Sequence, residues 1–123
     1  MRPRFQSVAP VIRLNSQTMG PTISLFDDMG FMVDTLLGDP PRFAMMHRDD
    51  LTVMIECKFT IPWKLSGWAV YFWVKELSLL RAEYINSGIN GISDIVKKDY
   101  SCLEFKVRMP DNRSLVFGER TVS

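Results

Sequence analysis

The side chains of this chain that could do chemistry are few and lie far apart. Its 123 residues hold one histidine, His47, and two cysteines, Cys57 and Cys102. An open metal site needs several nitrogen or oxygen donors converging on one point, because a single carboxylate cannot displace enough of the ion's water. A covalent nucleophile needs a base within reach, and the sequence shows no serine–histidine arrangement and no glycine-rich phosphate loop. His47, beside Arg48-Asp49, reads as an exposed strand end. What remains is an aromatic run, Trp68-Ala-Val-Tyr-Phe-Trp73, with carboxylates in strand-like segments at Glu56 and Glu104 and cations at Arg13 and Lys106. That mixture suits the orientation of an aromatic or amphiphilic molecule by stacking and a few polar contacts rather than bond-making.

Composition narrows the class. Hydrophobic residues make up 46% and charged residues 24%, ordinary values for a globular domain. The formal net charge is +1 without a basic block, so nucleic acid is not an expected partner. No apolar run reaches the roughly 18 residues of a membrane span, and the N-terminal Met1-Arg-Pro-Arg-Phe5 has no apolar core of a leader, so a cytoplasmic protein is expected. Both cysteines sit in apolar, strand-like runs and read as buried free thiols in a reducing compartment. Eight methionines serve either as flexible core filling or as a deformable apolar binding surface.

The elements that must position these residues come in two similar sets. Ala9-Pro-Val-Ile-Arg-Leu14 and Ala69-Val-Tyr-Phe-Trp-Val74 each lead from a strand into a helical pattern, 60 residues apart. Each helix stops at a glycine followed by an apolar residue, Gly30-Phe31 and Gly88-Ile89. Three strand-like runs follow in each half, and Val53-Met-Ile-Glu56 and Arg113-Ser-Leu-Val116 are again 60 apart. The first helix is placed at 21–28, with Pro21 as its first residue and Ile23, Phe26 and Met29 inward. The second spans 75–87. Strands are expected at 31–35, 42–47, 51–57, 68–74, 91–97, 101–108 and 114–118. One domain covers 1–123, with modules at 8–57 and 68–119 and a connector at 58–67 that carries Trp63, either a lid or an interface anchor. The fold class is α+β: two βαβββ modules in tandem forming a curled, half-open mixed sheet with helices on the outer face.

Four segments, in order and spacing, resemble the vicinal oxygen chelate superfamily, which includes glyoxalase I, bleomycin-resistance proteins and extradiol dioxygenases. They are Leu25-Phe-Asp-Asp-Met-Gly-Phe31, Tyr71-Phe-Trp-Val-Lys-Glu-Leu77, Leu103-Glu-Phe-Lys-Val-Arg-Met-Pro-Asp111 and Leu115-Val-Phe-Gly-Glu119. The chain departs from the family pattern in about two extra residues near Met19-Gly20, and in Met109 and Asn112 where Asp and Gly are usual.

The resemblance implies that catalytic members hold a divalent metal with four inward side chains. Their slots fall here on Ala9, Glu56, Ala69 and Val116, and only Glu56 could ligate. No metal and no cofactor is therefore expected, and Glu56 is either an acidic anchor for a cationic ligand or a member of an ion pair. With the slots taken as inward, strand alternation turns Arg13, Met54, Glu56, Tyr71, Trp73, Glu104 and Lys106 toward the cavity. Ile12, Leu14, Val70, Phe72, Val74, Phe105, Val107, Leu115 and Phe117 then pack under the helices, as does Cys57. The expected function is that of a non-catalytic small-molecule binding protein of bleomycin-resistance type, with the ligand in a cavity at a homodimer interface. The alternatives are a divergent metal-dependent lyase, isomerase or dioxygenase, and a closed module that binds another protein.

Overall fold

A computed structural model describes residues 1–58 and 65–121. Trp63 lies outside the described residues. Ten elements run β1 (Val11–Leu14), α1 (Ser16–Asp28), β2 (Met32–Leu37), β3 (Phe43–Arg48), β4 (Leu51–Cys57), β5 (Trp68–Trp73), α2 (Leu77–Asn86), β6 (Val96–Lys98), β7 (Cys102–Arg108) and β8 (Ser114–Arg120). They form two four-stranded mixed sheets of identical topology, β1-β4-β3-β2 and β5-β8-β7-β6. In each, the first and last strands of the module pair in parallel and the rest are antiparallel. The tandem βαβββ architecture is the one expected. No helix among the described residues is long and apolar enough to cross a membrane.

Both helices end in the same six-to-one hydrogen-bonded stop. Phe31 N–H donates to Phe26 O and Gly30 N–H to Asp27 O; Ile89 and Gly88 repeat this with Tyr84 and Ile85. The motif demands a left-handed residue, and Gly30 and Gly88 supply it at φ 86° and 80°.

The start of α1 differs from expectation. Asn15 caps the helix by accepting from Thr18 N–H at 2.9 Å, so α1 begins at Ser16 and Gly20-Pro21 lies inside it. Proline without an N–H leaves the Gln17 carbonyl without its helical donor. The cap and the burial of Met19, Thr22 and Phe26 hold the extra turn nonetheless. Helix α2 is entered differently: Glu119 on β8 accepts from the N–H groups of Glu76 (2.8 Å) and Leu77 (3.1 Å). The strand expected at 91–97 is shorter, with an isolated bridge from Ile92 to Val107.

One core spans both modules. It contains Ile12, Leu14, Phe26, Phe31, Met46 and Ile55 from the first and Phe72, Tyr84, Phe105, Val107, Leu115 and Phe117 from the second. The strand faces assigned to packing are the packed ones, although Val70, Val74 and Cys57 are only partly buried at its margin. Two polar ties cross the seam. Arg48 donates to Met29 O at the end of α1 and to both oxygens of Glu83 on α2, a cation at a helix C-terminus. Arg113, held by Asp111, donates to Arg13 O at 2.8 Å. Asn112 takes the turn's left-handed position at φ 77°, which asparagine tolerates better than most residues, and Met109 is buried in the core. These account for the two departures at that turn.

Pairing across the sheets also corrects the internal alignment. Ile12 lies beside Ile55 and Phe72 beside Phe117, so the modules are offset by 60 residues in their first strands and 62 in their last. The residue equivalent to Glu56 is Gly118, not Val116.

Candidate functional site

The site is built on the face of the second sheet that the helices leave free. Alternation puts Tyr71 and Trp73 of β5 on it. A bulge between Trp68 and Val70 brings Trp68 there too, opposite Ser114. Ala69, expected inward, packs instead against the core margin, and the indole of Trp68 takes the inward place at this end of the strand. The rings form a row, Trp68 to Tyr71 at 5.5 Å and Tyr71 to Trp73 at 4.8 Å between centroids. A cation closes each end: Lys106 Nζ lies 5.7 Å from the Trp68 ring and the Arg120 guanidinium 4.4 Å from the Trp73 ring. Trp68 and Trp73 remain half exposed, whereas Val116 and Gly118 beneath them are buried.

Under the row sits Glu104, 2% exposed. Its Oε2 accepts from Tyr71 Oη at 2.7 Å, from Tyr100 Oη, and from the Cys102 thiol at 3.6 Å. Its Oε1 is buried and has no hydrogen-bond partner among the described residues. Burial pushes the Glu104 carboxyl up, but the hydroxyls of Tyr100 and Tyr71, the Cys102 thiol and the charge of Lys98 outweigh it and hold it below the usual carboxylate range. The buried group is thus a carboxylate at neutral pH. Stability linked to this group is present at neutral pH and is lost as pH falls through its lowered pKa.

The same cluster raises both phenols. Burial, followed by Cys102 and Glu104, lifts Tyr71 far above the usual phenol range, and the bond to Glu104 lifts Tyr100 to about 12. Tyr84, the third tyrosine of the chain, is raised by burial in the core against the opposing charge of Arg48. In a spectrophotometric titration, the folded protein is therefore expected to show almost no phenolate absorbance at pH 10, where the urea-unfolded chain shows all three groups half ionised. Groups shifted upward favour the fold at neutral pH, and their contribution disappears as pH rises above 10 through the folded values. A folded-state step worth one phenol near pH 10 would show that one of these environments is wrong.

The expected residues on the first sheet form a separate group. Arg13 Nε donates to Glu56 Oε1 at 2.8 Å, so the two charges neutralise each other. Met54 lies half-buried between Val11 and Met45 on the same face. Among the described residues no hydrogen bond or ion pair joins Arg13 or Glu56 to Tyr71, Glu104 or Lys106. One chain does not close a cavity around the whole predicted set.

His47 is not a free strand end: it is half-buried, with Nδ1 2.7 Å from Asp34 Oδ1. Among the described residues no three His, Cys, Asp or Glu side chains are grouped to hold a metal ion, and Glu56, the one candidate ligand, is paired with a guanidinium. The residues present do not fit the divalent metal of the catalytic members.

Several site residues were missing from the sequence reading. Trp68 was hidden by the bulge. Cys102 and Tyr100 share the parity of Glu104, a signal that was available, and Arg120 lies beyond the expected end of β8. The two cysteines are free thiols, Cys102 buried on the site face and Cys57 half-buried.

Comparison with known proteins gives the fold a setting. No protein-family model matches the sequence, and no curated protein matches it. Solved structures do match along nearly the full chain. A glyoxalase-related enzyme from Clostridium phytofermentans superposes with a TM-score of 0.76 at 17% identity, covering 96% of this chain and 97% of the other. A bleomycin-binding protein from Streptomyces verticillus, complexed with copper(II)-bleomycin, gives 0.72 at 19% identity, with 99% and 100% covered. A bleomycin resistance determinant encoded on the transposon Tn5 gives 0.77 at 12% identity, with 96% and 100% covered. With two βαβββ modules in tandem and these structural relatives, the chain has the fold of the vicinal oxygen chelate superfamily.

Proposed function

We propose that this protein is a non-catalytic binding protein that holds a planar organic molecule against the aromatic row of its second sheet. The observation that carries this reading is the row itself: Trp68 and Trp73 each leave 51% of their surface exposed on a face where two cations and a buried carboxylate are fixed within reach. Half-exposed indoles held by a cation over each ring offer stacking surfaces whose ordering cost is already met by the fold. Two of the structurally similar proteins are bleomycin-binding proteins solved with bleomycin bound, which supports a small organic ligand.

The reading includes a homodimer. The Arg13, Met54 and Glu56 face belongs to one sheet and the aromatic face to the other, and a twofold pair would set the first sheet of one chain over the second sheet of its partner. That arrangement would also cover Val11, Met32, Leu36 and Leu37, all more than half exposed.

The test combines mass and binding. Light scattering is expected to give about 28 kDa, twice the 14.2 kDa chain. A panel of planar aromatic compounds is expected to quench tryptophan fluorescence and raise the melting temperature, and a chelator to change neither effect. Trp73→Ala should stay folded, since its indole packs on the free face, and should weaken binding by roughly 0.5–1.5 kcal/mol beyond the lost area. An unfolded Trp73→Ala with no compound stabilising the wild type would overturn the reading.

A further inference from the structure

We propose that Glu104 is the polar anchor of this site, and that its ligand presents to it a positively charged planar N–H donor of the amidinium or protonated amino-heteroaromatic class. The proposal rests on the binding function above and specifies which molecules it admits.

Among the described residues Glu104 is the only charged residue that is buried as a whole. Ionised groups in such places are retained only with partners, and an unfilled acceptor on one is costly. Its partners are distributed unevenly. Three donors, Tyr71, Tyr100 and Cys102, crowd onto Oε2, and none serves Oε1. Lys98 and Lys106 border a cavity of about 170 Å³ that Glu104 also lines, yet neither forms an ion pair with it. Among the described residues nothing uses the second oxygen. An incoming donor would complete it, and the strongest such bond comes from a charged N–H.

Position makes the donor's carrier planar. Glu104 is bonded to Tyr71, the middle ring of the row, so a flat molecule on Trp73 or Trp68 brings its edge toward the carboxylate. Tyr100 is the cover. It stands in the turn between β6 and β7, is 53% exposed, and donates its hydroxyl to Glu104. Rotation of that one side chain uncovers the carboxylate without disturbing a strand.

Three probes of one ring and different charge decide the matter: benzamidine, benzamide and benzoate, titrated by tryptophan fluorescence. Wild type is expected to bind benzamidine about tenfold or more tightly than benzamide, and benzoate least. Glu104→Gln should bring the benzamidine and benzamide affinities together, whereas Trp73→Ala should weaken both and keep their ratio. Tyr100→Phe, which keeps the carboxylate and loses the cover's bond, should tighten benzamidine about two- to tenfold. Circular dichroism checks that Glu104→Gln folds; if it does not, the wild-type order and Tyr100→Phe decide alone. Equal affinities, or a preference for benzoate drawn by Lys98, Lys106 and Arg120, would remove Glu104 as anchor and leave the aromatic site standing. Failure of all three probes to bind would remove the binding function and the anchor together.

Discussion

Phe117→Ala is expected to destabilise the protein by about 3–5 kcal/mol, the usual range for deleting a buried aromatic ring. Phe117 is 2% exposed. Its ring is stacked between Phe72 at 5.0 Å and Phe105 at 5.1 Å, with Tyr84 edge-on at 5.4 Å. The stack continues through Phe72 to Phe31 (6.4 Å) and Phe26 (5.0 Å), so the rings run from the second module into the first. Removing the middle ring opens a cavity that stacked neighbours on fixed strands cannot close. Against a typical domain stability of about 5–15 kcal/mol, the loss is visible as a large drop in the urea midpoint with an unchanged slope. It should also bring both modules down in one transition. A loss under about 1 kcal/mol, or two separate transitions, would show that the modules do not share one core.

The sequence exposes much of this plan because it depends on periodicity. The two glycine stops are where they were expected, since only a residue free to adopt positive φ closes that motif. The 51–57 strand was expected with the bounds observed, because it alternates cleanly and is bounded by turn residues. The packed faces of β7 and β8, and Phe72 on β5, followed from alternation once the family slots were taken as inward. Misreadings occur where a non-local contact overrides local pattern. Pro21 looked like a first helical residue because a cap by Asn15, six positions earlier, competes with it only once Met19 and Thr22 find a core to enter. Trp68 was left off the site face because a bulge shifts one residue and no composition marks it. The Arg13–Glu56 pair joins strands 43 residues apart. Parity places both side chains on one face but not in one bond. Burial of Glu104 is the least legible feature, because it is made by Tyr71 from another strand and Tyr100 from a turn.

Gly118→Ala, one residue from Phe117 and on the opposite face of β8, is expected to cost about 2–4 kcal/mol for a different reason. A Cβ at 118 would lie 1.9 Å from Tyr71 Oη and 2.6 Å from Cζ. The phenol crosses directly over the glycine on its way to Glu104, which is the β7 neighbour of Gly118 in the sheet. No strained backbone is involved, so alanine itself is acceptable there. By removing chain freedom from the unfolded state it would even add roughly 0.4–1 kcal/mol if space allowed. Space does not allow it. Tyr71 must leave, the buried carboxylate loses a donor, and the aromatic row loses its middle ring. The sign therefore depends on Tyr71. In the Tyr71→Ala background the obstruction is gone, and Gly118→Ala should become neutral or mildly stabilising. A double-mutant cycle measures this coupling directly, and its expected size exceeds about 2 kcal/mol. Gly118→Ala alone should also abolish the binding of planar compounds, and Phe117→Leu, which keeps a large apolar side chain on the packed face, should leave it intact. If Gly118→Ala is equally harmful with and without the Tyr71 ring, the tyrosine does not lie over the glycine, and the site described here is not the one the protein builds.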